Sequence, residues 1–101
     1  MLIYKITGKL PREEIFGLTS QMRRSAISIP SNIAEGKKRK TRADFIQFLR
    51  IADGSAAELE TQMIIARELY PKIPFVNSEL LLTEVQKMLA VMIKKLQTPN
   101  S

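Results

Sequence analysis

The sequence predicts an all-α fold: an antiparallel up-down four-helix bundle with an abbreviated first helix. Three observations lead to this prediction. Apolar residues recur at spacings of three and four through three long segments, which is the period of a helix and not of a strand. Short connections separate these segments, so consecutive helices are expected to run in opposite directions. The chain has 101 residues, enough for a single domain, residues 1–101, and not for two.

The first two helices are predicted at residues 1–8 and 13–35. Residues 1–8 hold a short apolar stretch that ends at the connection "GKLPREE". Residues 13–35 carry an apolar stripe at Ile15, Leu18, Met22, Ala26, Ile29 and Ile33. Pro30 removes one backbone donor inside this helix, and we therefore expect a kink but not a break. Gly36 is predicted to end the helix in the left-handed conformation.

A second apolar face of this helix carries Phe16, Ile27 and Ala34. At about 100° per residue these side chains lie a quarter-turn or more away from the main stripe. One face can serve the core of the domain, whereas the second needs a separate partner. We expect a subunit contact to cover it.

The third and fourth helices are predicted at residues 42–70 and 78–97. Thr41 is expected to cap the third helix with Asp44 three positions later, and Asn77 or Ser78 to cap the fourth. Gly54 costs roughly 1 kcal/mol relative to alanine inside a helix, and we expect close packing there. The third helix has a heptad seam at Phe45, Leu49, Ala52, Ala56, Leu59, Met63, Ala66 and Tyr70, and the fourth continues the pattern at Leu82, Val85, Leu89, Met92 and Leu96.

The sequence lacks histidine, cysteine and tryptophan. The usual general base at neutral pH, the thiolate nucleophile and the histidine-containing metal sites of helical bundles are therefore missing. We interpret the acidic residues as solvated helix faces and predict a non-enzyme with no catalytic residue, cofactor or metal ion. The absence of cysteine fits a reducing cytoplasm, the expected location, and no apolar run approaches the roughly 20 residues that span a bilayer.

A basic run, "GKKRKTR", lies between the second and third helices. Five of its residues are positively charged: Lys37, Lys38, Arg39, Lys40 and Arg42. The net charge of the whole chain is +6, which favours polyanionic partners. Lysine and arginine side chains on a short loop can reach phosphates and release counterions. The alternative is a solvated turn that keeps the protein soluble, and the residues leave both interpretations open.

Two blocks of the sequence resemble the four-helix bundle family of 23S ribosomal RNA intervening-sequence proteins. The first, "QMRRSAISIPSNIAEG", spans residues 21–36, and its matching positions are Gln21, Arg23, Arg24, Ala26 and residues 28–36. The second, "SAAELETQ", spans residues 55–62. The resemblance extends over residues 4–96 and implies a bundle fold, a bacterial origin and no catalytic residue. It also implies a longer first helix, and we therefore expect this chain to start partway along that helix.

The resemblance also implies partners. Known members of the family form homopentamers, so a homo-oligomer, specifically a pentamer, is expected. A related branch is the accessory variability determinant of diversity-generating retroelements, which binds a reverse transcriptase and nucleic acid. RNA or DNA is therefore one expected partner, and a reverse transcriptase or another protein is the alternative. A membrane partner is not expected, because no amphipathic insertion face adjoins the basic run.

The predicted nucleic-acid contacts are the five cations of the loop, together with Arg23 and Arg24 on the preceding helix. For these two arginines, pairing with a glutamate at a subunit interface fits better than phosphate contact. No aromatic residue interleaves the basic run, so the pattern does not favour stacking on single-stranded bases.

Overall fold

A computed structural model of the chain describes residues 1–98, and every regular element in that range is helical. Helix α1 spans Leu2–Thr7, α2 spans Leu18–Lys37, α3 spans Arg42–Leu69 and α4 spans Val76–Gln97, with a 3-10 turn at Arg12–Glu14 before α2. The four helices pack against one another. The predicted all-α fold and its short first helix are confirmed, while residues 99–101 of the predicted domain lie outside the described part.

Contacts between helices show that consecutive helices are antiparallel. At one end of the α2–α3 pair the Tyr70 hydroxyl donates to the Glu14 carboxylate over 2.6 Å, and near the middle Ser28 and Ser55 are hydrogen-bonded. The α3–α4 pair begins with an ion pair between Arg67 and Glu79, with 2.6 Å between nitrogen and oxygen. The up-down order of the bundle is therefore confirmed.

The core lies between the helices and is built from the predicted seams. The largest of its fully buried apolar side chains are Met22 on α2, Leu49 and Met63 on α3, Leu89 on α4 and Phe75, which immediately precedes α4. Helix α1 supplies Ile3 and Ile6 to the same core. Because α1 has six residues and α2 has twenty, α1 covers only part of the length of α2.

Helix α2 begins later than predicted and continues further. Residues 12–14 form a 3-10 turn and the α-helix starts at Leu18, so Ile15 and Phe16 lie outside the helix and are exposed. The helix runs unbroken across Pro30, which confirms that the proline does not break it, while the kink there stays a prediction. The prediction that Gly36 ends the helix in the left-handed conformation is wrong. Gly36 is a buried residue inside the helix, and the C-cap of α2 is Lys38, in the right-handed conformation.

Two other predictions from local sequence are also wrong. Gly54 is exposed, and a Cβ atom added there would meet no neighbour within 4 Å, so close packing does not explain this glycine. Neither Asn77 nor Ser78 caps α4. The helix begins at Val76, because the carbonyl of the buried Phe75 already accepts the backbone N–H of Glu79 at 2.9 Å.

Candidate nucleic-acid interface

The basic loop is a tight, well-anchored turn at one end of the bundle. We define it as residues 37–42, from the last residue of α2 to the first residue of α3. The backbone N–H groups of Lys38 and Arg39 donate to the last turn of α2 over 3.2 and 3.1 Å. On the other side, the Thr41 hydroxyl accepts the N–H of Asp44 over 3.1 Å, which confirms the predicted N-cap. The loop therefore presents its side chains from an ordered backbone.

Gly36 sets how closely the two helices approach beneath this loop. A Cβ atom at Gly36 would lie 2.8 Å from ring carbon Cδ1 of Phe45 and 2.8 Å from Cβ of Phe48. Both distances are far inside van der Waals contact, so a residue with a side chain would push the helices apart. The close approach lets a connection of four residues, 38–41, join two long helices.

Arg39 is the one cation of the basic loop whose side chain has partners within residues 1–98. Its Nη2 lies 2.8 Å from Glu35 Oε1, and its guanidinium carbon lies 4.7 Å from the centroid of the Phe48 ring. These contacts hold the side chain along the surface of the two helices. An exposed ion pair of this kind contributes little to stability, typically about 0–1 kcal/mol, but it occupies the charge of Arg39.

The other four loop cations are free within the part of the chain that the structure describes. Lys37, Lys38, Lys40 and Arg42 are all exposed, and none has an ion pair or side-chain hydrogen bond among residues 1–98. The nearby carboxylates are those of Glu35, held by Arg39, and Asp44, in the first turn of α3 where the positive end of the helix dipole favours it. The loop therefore displays an excess of positive charge to solvent.

The structure places Arg23 and Arg24 away from the loop. Arg23 donates from Nε to the Thr7 hydroxyl at 2.9 Å and from Nη2 to the Tyr4 carbonyl at 3.4 Å, and its guanidinium carbon lies 4.7 Å from the Tyr4 ring centroid. It thus fastens α1 to α2. Arg24 is exposed and has no side-chain partner within residues 1–98. Both lie thirteen or fourteen residues before Lys37, roughly 20 Å along the helix.

Lys94 and Lys95 lie in the half of the molecule that holds the basic loop, and the sequence interpretation missed this placement. Because α4 runs antiparallel to α3 from the Arg67–Glu79 pair, its last turn lies alongside the first half of α3. Only the topology could have indicated this placement. In an up-down bundle, the last turn of the fourth helix and the connection between the second and third helices lie at the same end of the bundle.

Residues 1–98 hold no group of three or more histidine, cysteine, aspartate or glutamate side chains placed to bind a metal ion. In the same range, no helix combines the length and the apolar character that crossing a membrane requires. The four exposed cations make the basic loop the candidate site that the geometry supports.

A family model described as the 23S rRNA-intervening sequence protein matches residues 1–91, which include both sequence blocks and the whole basic loop. No curated protein matches the chain.

Proposed function

Because the chain belongs to the 23S rRNA-intervening sequence protein family, we propose that it is a non-enzymatic, oligomeric protein that binds the backbone of RNA or DNA through its basic loop. The observation that carries this proposal is a set of four exposed cations on an ordered turn, none of which has a side-chain partner within residues 1–98. A charge with no partner among the described residues breaks no contact with them when it meets a phosphate.

The chemistry of the loop favours backbone contact over base recognition. Phosphate contacts by lysine and arginine release counterions and supply affinity without sequence choice. The two aromatic residues nearest the loop, Phe45 and Phe48, are half-buried, and Arg39 covers the ring of Phe48. They offer no open platform on which bases could stack. We therefore expect weak discrimination among nucleic-acid sequences.

Oligomerisation would strengthen such binding. Each subunit supplies one basic loop, and a pentamer would present five of them on one particle. When one loop is bound, the others act at a high effective concentration, so overall affinity can exceed that of a single loop by orders of magnitude. Lys94 and Lys95 would widen the basic surface of each subunit.

The proposal is tested by comparing two triple variants that remove the same charge. One replaces Lys37, Lys38 and Lys40 with glutamine, and the control replaces Lys5, Lys9 and Lys72, which are exposed near the opposite end of the bundle. Affinity for a labelled RNA and a labelled DNA duplex is measured by fluorescence anisotropy at one fixed salt concentration. We expect the loop variant to lose at least tenfold in affinity and the control to change little.

Other results would overturn the proposal. Equal losses in both variants would mean that net charge matters and the loop does not. Unchanged binding in the loop variant would make the loop a solvated turn. The alternative function would then apply, in which the bundle recruits a protein such as a reverse transcriptase.

A further inference from the structure

Arg50 extends the positive charge of the basic loop along helix α3. It follows Arg42 by eight residues, so the two side chains lie about a quarter-turn apart around the helix and about 12 Å apart along its axis. Arg50 is exposed and has no ion pair or side-chain hydrogen bond within residues 1–98. Like the free cations of the loop, it breaks no contact with the described residues when it meets a phosphate.

Lys94 lies at the same level on helix α4. The ion pair between Arg67 and Glu79 relates the two antiparallel helices, and Lys94 follows Glu79 by fifteen residues. Arg50 precedes Arg67 by seventeen, which places Arg50 and Lys94 within about one helical turn of the same level. The Lys94 side chain is exposed and has no ion pair or hydrogen bond among the described residues. We call these two cations the second row.

The exposed carboxylates of α3 set the limit of this basic surface. Asp44 lies in the first turn of the helix, and the next acidic residues are Asp53, Glu58 and Glu60, all exposed. Between Asp44 and Asp53, Arg50 is the only charged residue in the sequence. A polyanion that followed α3 along its whole length would meet the later carboxylates. The basic surface therefore suits a ligand that crosses this end of the bundle, where it meets the loop and the second row.

Two levels of cations suit a double-stranded nucleic acid better than a single strand. A duplex presents two rows of phosphates across a groove, and the major groove of B-form DNA is about 12 Å wide. A duplex also carries about one charge per 1.7 Å of its axis, twice the density of one strand. Proteins that hold single strands add aromatic platforms for the bases. The aromatic side chains nearest the loop, Phe45 and Phe48, are half-buried and offer no such platform.

We propose that the basic loop holds one strand of a nucleic-acid duplex while Arg50 and Lys94 contact the other strand. The inference rests on the proposed function and narrows its ligand from nucleic acid in general to duplexes. Duplex DNA and duplex RNA share the feature that is recognised, which is two facing rows of phosphates. Because phosphate contacts carry no base information, the second row adds affinity without sequence choice.

A double variant and a matched control test the proposal. Arg50→Gln combined with Lys94→Gln removes the second row, whereas Arg24→Gln combined with Lys72→Gln removes one arginine and one lysine outside the basic surface. All four side chains are exposed, so the changes remove no core contact, and circular dichroism checks the fold. Fluorescence anisotropy at one fixed salt concentration measures the binding of a short DNA duplex, an RNA duplex of the same sequence and one separate strand of each.

We expect the double variant to lose roughly fivefold or more in affinity for a duplex and less than about twofold for a single strand, because a single strand has no second row of phosphates. The control should change little for any of the four ligands. The duplex that shows the larger loss, DNA or RNA, is the one that the second row fits better.

Two results would overturn this contact. One is an unchanged affinity of the double variant for both duplexes, and the other is an equal loss for duplexes and single strands. The variant that replaces Lys37, Lys38 and Lys40 decides the proposed function separately. If it binds duplexes as the wild type does, the proposed function fails together with this inference. If it loses affinity while the double variant does not, only the contact with the second strand is wrong.

Discussion

The hydroxyl oxygens of Ser28 on α2 and Ser55 on α3 lie 2.7 Å apart and join the two helices near their middle. Asn32 donates its side-chain N–H to the same Ser28 oxygen at 2.9 Å and to the Ser28 carbonyl at 2.7 Å. The two blocks of sequence that carry the family resemblance therefore meet in one hydrogen-bond network. This network fixes the register of α2 on α3 and, through it, the position of the basic loop.

Ser28→Ala is expected to lower the free energy of unfolding by about 1 kcal/mol, or up to about 3 kcal/mol if the buried Ser55 hydroxyl is left without a partner. The measurement is urea unfolding followed by circular dichroism. Ser31→Ala on the same helix is the control, because Ser31 is exposed and its side chain has no partner within residues 1–98. Equal stabilities of the two variants would mean that the network contributes nothing.

Two glycine-to-alanine substitutions should act in opposite directions. Gly36→Ala is expected to destabilise the protein by roughly 1–3 kcal/mol, because its Cβ would collide with Phe45 and Phe48. Gly54→Ala should stabilise it by about 0.5–1 kcal/mol, since the position is helical, exposed and open. Thermal unfolding of both variants checks this. A stabilising Gly36→Ala would mean that the helices can separate at the loop without cost.

Arg23 is expected to hold α1 in place and not to contact nucleic acid. Arg23→Gln should speed hydrogen exchange of the α1 amides about fivefold to tenfold, because a net hydrogen bond contributes about 1 kcal/mol. Arg24→Gln removes the same charge from an exposed side chain that has no partner within residues 1–98, and it serves as the control. Exchange rates in α1 that do not respond to Arg23→Gln would contradict this role.

The ion pair of Arg39 predicts unequal contributions within the basic loop. Lys40→Gln should weaken binding of a DNA duplex more than Arg39→Gln, because Arg39 must first leave Glu35 and the Phe48 ring. Glu35→Gln should strengthen binding, since it frees Arg39 and removes a negative charge. Anisotropy titrations at one salt concentration give the three affinities. An Arg39→Gln loss larger than that of Lys40→Gln would show that Arg39 itself meets the phosphates.

The hydrogen bond of Tyr70 predicts that the stability of the folded chain depends on pH. Tyr70 lies at the end of the bundle opposite the basic loop. Its hydroxyl donates to the Glu14 carboxylate, and this hydrogen bond raises the pKa of Tyr70 above its ordinary value of 10.0. The protonated form is therefore favoured in the folded chain. Its contribution to stability is complete below pH 10 and is lost as the pH rises through the raised pKa.

The test compares the free energy of unfolding of the wild type and Tyr70→Phe across this range. We expect the variant to be less stable at pH 8 and the difference to shrink above pH 10. Tyr4→Phe is the control, because the Tyr4 hydroxyl has no hydrogen bond within residues 1–98. A constant difference at all pH values would mean that the Tyr70 hydroxyl does not interact with a charge.

The sequence predicted the features that depend on neighbouring residues. The apolar seams gave the helices, and the Thr41 cap followed from a local hydrogen bond to Asp44. Gly36 was misinterpreted because the rings that require it, Phe45 and Phe48, belong to another helix. No spacing in the chain indicates a collision of that kind, which only the packed structure shows.

For the candidate site, too, the sequence predicted what depends on neighbouring residues and not what depends on packing between helices. The five loop cations could be found from the sequence alone, because they are consecutive or nearly so. The sequence could not show that Arg39 has side-chain partners while the other four have none within residues 1–98, since this depends on the distances from Arg39 to Glu35 and Phe48. Arg23 was grouped with the loop on charge, whereas its partner, the Thr7 hydroxyl, is brought to it only by the docking of α1.

The most direct test of the central claim is the salt dependence of binding to a DNA duplex. If the four free cations of a loop each meet one phosphate, the slope of log affinity against log salt should be about −3 to −4 per engaged loop. Replacing Lys37, Lys38 and Lys40 with glutamine should bring that slope close to −1, whereas replacing Lys5, Lys9 and Lys72 should leave it unchanged. The same slope in the wild type and the loop variant would contradict the claim that this loop binds nucleic acid.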